Sequence, residues 1–136
     1  LEHLALEDFE RALRETHRSL REGGRFRLIV PDLHKLALEY VNAVEKGDAG
    51  ASGEFMRESY LGLVRRAKSF IEKIVFSIGN SGHLWMWDRL SMEAALSDAG
   101  FRSIRLAYFG DLEEPTFALV EDAARFESSV AFEAIK

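Results

Sequence analysis

The first part of the chain shows the spacing of an amphipathic helix followed by a buried strand. The residues of one helical face recur at steps of three and four: Leu6, Phe9, Leu13, Thr16 and Leu20. This predicts a helix from about Leu6 to Glu22. The double glycine 23–24 suits a left-handed helix end, and the aliphatic run 25–30 predicts a strand that Pro31 terminates, because proline has no N–H to donate.

The middle of the chain predicts two further helices. Asp32 is a good N-cap for a helix through about Glu45, whose predicted buried side consists of Leu33, Leu36, Tyr40 and Val44. Glycines then predict a mobile loop at 47–53, and periodicity predicts the longest helix over Phe55–Ile78. One helix is enough for a crossover between two strands, and this region is predicted to contain two. We therefore expect residues 33–78 to be a helical hairpin inserted over the carboxyl edge of the sheet.

The remaining elements follow a turn at 79–82. Asp88 is the predicted N-cap of a helix that ends at Gly100. Strands are expected over Ser103–Phe109 and Ser129–Ile135, with a short helix over Phe117–Phe126 between them. Together these elements predict one α/β domain over residues 1–136.

Composition excludes several classes of protein. Of the 136 residues, 47% are hydrophobic, which suits a folded domain. The formal net charge is −5 and the arginines alternate with acidic residues, so no nucleic-acid groove is expected. No apolar run reaches the about 20 residues that cross a bilayer, and no signal segment opens the chain. We therefore expect a cytoplasmic protein with no membrane contact.

Four short motifs follow one another in a characteristic order. They are Glu2-His3-Leu4, the run Leu20–Asp32, the run His83–Asp88, and Leu96–Phe101. Their order resembles the C-terminal half of class I S-adenosylmethionine-dependent methyltransferases. In that family the fourth strand ends just before Glu-His-Leu, the Gly-Gly turn leads into the fifth strand, and Ala-Gly-Phe leads into a final antiparallel pair. The resemblance implies a Rossmann-like, methyltransferase-type α/β sheet, of which this chain holds the C-terminal half.

The resemblance also implies a cofactor and a reaction. The family holds S-adenosylmethionine with a glycine-rich turn after its first strand and an acidic residue after its second, and nothing before Leu1 supplies either. We therefore expect a fragment, or a protein whose first half is missing. The whole protein would transfer methyl to a small-molecule or saccharide-like acceptor, and the chain alone is expected to be inactive and to bind the cofactor poorly.

Four candidate site residues lie outside the aromatic run His83–Asp88, in two regions of the chain. The resemblance places Glu2 and His3 near the transferred methyl, where His3 could act as a general base; the alternative is a disordered terminus. Asp32 and His34 follow the strand that ends at Pro31, where open α/β sheets place ligands, and are candidate substrate-binding residues. For His34 the alternative is an exposed position in the first turn of a helix.

The aromatic run is the third candidate region. His83, Trp85 and Trp87 could line a pocket for a planar or apolar acceptor. The two indoles would share one side of an extended segment, so the alternative is that they anchor the insertion to the sheet. No metal is expected, because the four histidines show no ligand spacing with carboxylates.

Two other functions and one kind of assembly also fit the sequence. A non-catalytic Rossmann-like dimerisation or binding module is one alternative, and a glycosyltransferase-type domain is another. In the family the strand Arg25–Val30 lies between the fourth and the final strand, and the fourth is missing here. An open strand edge pairs readily with another chain, and the stripe Leu6, Phe9 and Leu13 would lose part of its cover. A homodimer or a domain swap is therefore expected.

Overall fold

The computed structural model describes residues 1–62, 69, 82–111 and 113–136 as a mixed α/β fold. Its helices are α1 (Leu6–Ser19), α2 (Leu33–Glu45), α3 (Ala51–Glu58) and α4 (Arg89–Asp98), its strands are β1 (Arg25–Pro31), β2 (Arg102–Leu106) and β3 (Ser129–Ile135), and two 3₁₀ helices span Pro115–Leu119 and Ala123–Phe126. The α/β class is confirmed. The short helix expected over Phe117–Phe126 is instead this pair of 3₁₀ turns.

The three strands form one sheet in the order β1-β3-β2, and β3 is antiparallel to both neighbours. Leu28 of β1 and Leu106 of β2 both lie opposite Phe132. The predicted β1 and the predicted final antiparallel pair are therefore confirmed. β2 ends earlier than the predicted Phe109, because the chain turns at 108–111, where the N–H of Asp111 donates to the carbonyl of Tyr108 at 3.1 Å.

One face of the sheet carries the hydrophobic core. Side chains from α1, β1, α4 and β3 meet there: Phe9, Leu13, Leu28, Val30, Met92, Leu96, Val130 and Phe132. Phe9 and Leu13 are 0% and 1% exposed. The expectation that the α1 stripe would lose part of its cover is therefore wrong for these two residues, because the sheet and α4 cover it within the same chain.

The opposite face carries charges that alternate with the core residues along the strands. The carboxylate of Glu133 in β3 accepts hydrogen bonds from Nη1 of Arg25 at 2.7 Å, Nη1 of Arg27 at 3.0 Å and Nη2 of Arg105 at 3.1 Å. The side chains of Arg27 and Glu133 are only 4% and 1% exposed. Since buried charges need partners, we interpret this network as the interaction that allows charged side chains to be buried on the second face of the sheet.

The region after β1 differs in part from the prediction. Asp32 caps α2 as expected, and Leu36 is buried, but Tyr40 and Val44 are exposed, so the predicted buried face of α2 is only partly correct. α3 begins at Ala51, inside the predicted loop, and ends at Glu58 instead of continuing from Phe55 to Ile78. Tyr60 has a positive φ of 53°, the backbone geometry at which helices end. The remainder of the predicted long helix and most of the turn at 79–82 lie outside the described residues.

Candidate functional site

A cleft of about 490 Å³ opens at the carboxyl end of β1. Its lining comes from the starts of α2, α4 and β3, from the end of β2 and the residues after it, and from the second 3₁₀ helix: Asp32, His34, Asp88, Arg89, Leu90, Leu106, Ala107, Tyr108, Phe126, Ser129, Val130 and Ala131. The cleft therefore combines carboxylate, imidazole and guanidinium groups with an apolar floor. This mixture is typical of small-molecule sites.

Main-chain pairing brings the aromatic run to this cleft. Asp32 and Trp87 form a parallel bridge, and the N–H of Leu33 donates to the carbonyl of Trp87 at 2.8 Å. Asp88 consequently lies at the same edge as Asp32 and His34. Of the sequence-predicted substrate-binding residues, the structure gathers Asp32 and His34 in the cleft, and adds Asp88, which the sequence had marked only as a helix cap.

Both carboxylates of the cleft also cap helices. Oδ1 of Asp32 accepts from the N–H of His34 at 2.9 Å and from that of Lys35 at 3.3 Å. Oδ1 of Asp88 accepts from the N–H and the hydroxyl of Ser91 at 2.8 and 2.7 Å. The Ser91 N–H is the main reason why the pKa of Asp88 lies below its ordinary value. The caps therefore fix the position of both side chains and favour the charged form of Asp88.

The two tryptophans have different environments. Trp87 is buried and its ring lies 4.2 Å from that of Phe9, centroid to centroid. Trp85 is 42% exposed, with its ring 6.3 Å from Trp87. Neither indole lines the cleft. Trp87 thus takes the packing position that the sequence left as an alternative, and Trp85 remains accessible on the surface.

A second group of functional side chains consists of Glu2, His3 and His83. One ligand atom of each lies within 4.8 Å of those of the other two. Oε1 of Glu2 is 3.5 Å from Nε2 of His3, and the imidazoles of His3 and His83 have centroids 5.2 Å apart. The sequence placed Glu2 and His3 in one candidate region and His83 in another, so this grouping is a result of the fold.

Hydrogen bonds hold this cluster together. The carbonyl of Glu2 accepts the N–H groups of Leu84 and Trp85 at 2.8 and 3.3 Å. Nδ1 of His3 lies 3.0 Å from the carbonyl of Gly82, which acts only as an acceptor, so Nδ1 is the protonated nitrogen and Nε2 is left with its lone pair. Glu2 and His3 are therefore hydrogen-bonded to the segment that leads into the cleft.

Burial affects the two ends of the cluster differently. Burial lowers the pKa of His83 below 6.5, although the charge of Glu2 acts in the opposite direction. For Glu2, burial raises the pKa, and the hydrogen bond from its own main-chain N–H acts in the opposite direction. Near neutral pH the cluster therefore contains a carboxylate beside a neutral imidazole of His83.

Sequence reasoning missed several residues that these two sites contain. Arg89, Leu90 and Tyr108 line the cleft, and the ring of Tyr60 lies 5.0 Å from that of His83. Tyr108 lies near the end of the predicted strand Ser103–Phe109, so its strand-end position was an available signal. Tyr60 had no such signal, because it reaches His83 through the turn that ends α3.

Comparison with known proteins adds no relative. No family model, no curated protein and no solved structure matches the chain. Among the described residues, no helix has both the length and the apolar character needed to span a membrane. The assignment of a function therefore depends on the residues and contacts of the two sites.

Proposed function

We propose that this chain is the C-terminal part of the catalytic domain of an S-adenosylmethionine-dependent methyltransferase. The observation that carries the proposal is the strand arrangement. The resemblance implies that the strand after the Gly-Gly turn pairs with the final strand, and that the final two strands are antiparallel. β1 pairs with β3, and β3 pairs antiparallel with β2, in agreement with both expectations.

The cleft at the carboxyl end of β1 is the proposed acceptor site. Carboxylates accept hydrogen bonds from hydroxyl groups, and a guanidinium donates them, so Asp32, Asp88 and Arg89 suit a polyhydroxylated, saccharide-like molecule. Leu90 and Tyr108 supply exposed apolar surface beside these groups. Such a combination favours a small polar acceptor over a nucleic acid or a lipid.

His3 is the proposed general base. Its Nδ1–H donates to the carbonyl of Gly82, so Nε2 is the nitrogen that can take a proton. The carboxylate of Glu2, 3.5 Å away, would stabilise the imidazolium that results. In this proposal His3 removes the proton from the acceptor hydroxyl.

The described residues that line the cleft do not fit the cofactor itself. The family holds S-adenosylmethionine with main-chain N–H groups of a glycine-rich turn, and no glycine lines the cleft. We therefore assign no cofactor contact to the described residues, and the proposal concerns the acceptor half of a complete site.

Calorimetric titration with S-adenosylmethionine tests the proposal. The longest polypeptide that the gene encodes is expected to bind it with a micromolar dissociation constant, about −8 kcal/mol, while the chain of Leu1–Lys136 is expected to show no binding in that range. Absence of binding by the longest polypeptide would refute the methyltransferase assignment. Micromolar binding by the chain alone would refute the division of the site into two halves.

Variants then test the acceptor site in an assay of methyl transfer by the longest polypeptide. Asp32→Asn removes a charge and preserves the cap, since asparagine caps helices as well as aspartate does. We expect it to raise KM for the acceptor with little change in stability. His3→Ala is expected to lower kcat, and His17→Ala, on the far side of α1 beside Phe101, is the matched control. Equal effects of His3→Ala and His17→Ala would contradict the assigned base.

A further inference from the structure

We propose that Glu2, His3 and His83 form a binding site for a divalent transition metal such as zinc. The inference involves the same Nε2 of His3 that is the proposed general base, and it starts from the three-residue cluster, whose ligand atoms lie within 4.8 Å of one another. Two imidazoles and a carboxylate are a donor set that binds zinc, and a site with three protein ligands leaves a further position open. The sequence predicted no metal, because His83 lies far from Glu2 and His3 along the chain.

The distances require only a small contraction around the ion. Ligands at 2.0–2.1 Å in tetrahedral zinc sites are about 3.4 Å apart. Oε1 of Glu2 and Nε2 of His3 are already 3.5 Å apart. From the 4.8 Å limit, the third ligand, a ring nitrogen of His83, must approach by at most about 1.4 Å, and rotation of a half-buried side chain supplies such a movement.

The second nitrogen of His3 has the partner that metal-bound histidines use. Nδ1 donates to the carbonyl of Gly82 at 3.0 Å, which orients the ring and leaves Nε2 for the metal. Oε1 of Glu2 is the carboxylate oxygen that lies beside Nε2 of His3, at 3.5 Å. The pre-positioned ligand atoms are therefore Oε1 of Glu2 and Nε2 of His3.

The donor set also selects the class of ion. Imidazole nitrogen suits zinc, copper, nickel and iron, whereas magnesium and calcium require oxygen ligands. A metal on Nε2 of His3 excludes proton uptake at that atom, so the metal-bound form is a distinct state of the cluster. Metal binding and spectroscopy therefore test the site, without a measurement of activity.

The experiment titrates chelator-treated protein with zinc in competition with a fluorescent chelator at pH 7.5, and with cobalt followed by visible absorption. We expect one zinc per chain with a dissociation constant of about 1 μM or lower, cobalt bands of tetrahedral intensity, and no binding of magnesium. His3→Ala, His83→Ala and Glu2→Gln should each weaken zinc binding by at least about tenfold. His34→Ala is the control, because His34 is exposed on α2 and outside the cluster, and circular dichroism checks the fold of every variant.

Several outcomes would overturn the site. Absence of competition by the wild-type chain would do so directly. Binding that is lost in His3→Ala but unchanged in His83→Ala would place the metal on the amino-terminal segment alone. Equal weakening by His34→Ala would show that the metal binds exposed histidines without selection.

Discussion

Removal of the charge at Glu133 is expected to destabilise the fold more than any surface charge change. Its carboxylate is 1% exposed and accepts three charge-assisted hydrogen bonds, from Arg25, Arg27 and Arg105, at 2.7 to 3.1 Å. Arg27 is itself buried, with Phe117 and Phe126 about 6 Å from its guanidinium. Without the Glu133 carboxylate, less negative charge would compensate the positive charges of the three guanidinium groups.

The magnitude follows from the buried environment. Removing one partner of a buried ion pair costs about 3–5 kcal/mol, because the other charge stays behind without compensation. We expect this loss for Glu133→Ala. Glu133→Gln keeps the shape and one acceptor oxygen, and Arg27 keeps Glu121 and Asp111 as partners, so the expected loss is about 2–3 kcal/mol. Either value is a large part of the stability of a small domain.

Urea unfolding followed by circular dichroism measures both variants. The control is Glu15→Gln, which removes an exposed pair with Arg18 and should change the free energy of unfolding by less than about 0.5 kcal/mol. High salt should reduce the small effect at Glu15 and leave most of the effect at Glu133, because buried pairs are screened less. A loss at Glu133→Gln equal to that of the control would refute the interpretation of the network as structural.

Three further predictions concern a cap, a turn and the assembly. Asp88→Ala should cost about 1 kcal/mol of stability; because the Ser91 N–H lowers the pKa of Asp88, the charge-dependent part of this deficit is present above 3.8 and is lost as the pH falls through the lower pKa of the folded state, which thermal unfolding from pH 3 to 7 will follow. Gly100→Ala should destabilise more than Gly110→Ala in urea: both glycines have positive φ, but an added Cβ meets the His17 ring at 3.2 Å only at Gly100. Light scattering should show a dimer through the β1 edge, which pairs with no further strand among the described residues; a monomer of 15.4 kDa would contradict it.

Local signals in the sequence predicted much of the fold. The double glycine before β1 and the proline at its end correctly marked the limits of that strand, since their backbone preferences act without tertiary context. Asp32 and Asp88 were correctly predicted as caps for the same reason. The predicted left-handed helix end at the double glycine was wrong, because α1 ends at Ser19 with an extended cap at Leu20, and the glycines instead form the turn into β1. The limits of α3 were not predictable in this way, because apolar periodicity continued past Glu58 while the backbone turned at Tyr60.

Features that depend on residues far apart in sequence were outside the reach of pattern reasoning. No local sequence pattern marks Arg27 and Glu133 as partners, and only the pairing of β1 with β3 makes them a buried pair. In the same way, His83 meets Glu2 only because Leu84 and Trp85 bond to the Glu2 carbonyl. Both clusters are products of register and chain path.

The structural carboxylates and the cleft carboxylate Asp32 differ in how many of their oxygens already accept hydrogen bonds. Both oxygens of Glu133 accept from arginines, and Asp111 gives one oxygen to Arg27 and the other to Arg105. A carboxylate in this state has little capacity for a ligand. Asp32 differs, because its cap uses Oδ1 and within the described residues no hydrogen bond reaches Oδ2. Since Asp32 also lines the cleft, it can accept a hydrogen bond from a bound molecule without giving up its cap, and the cleft edge of the sheet is for this reason the better place for recognition.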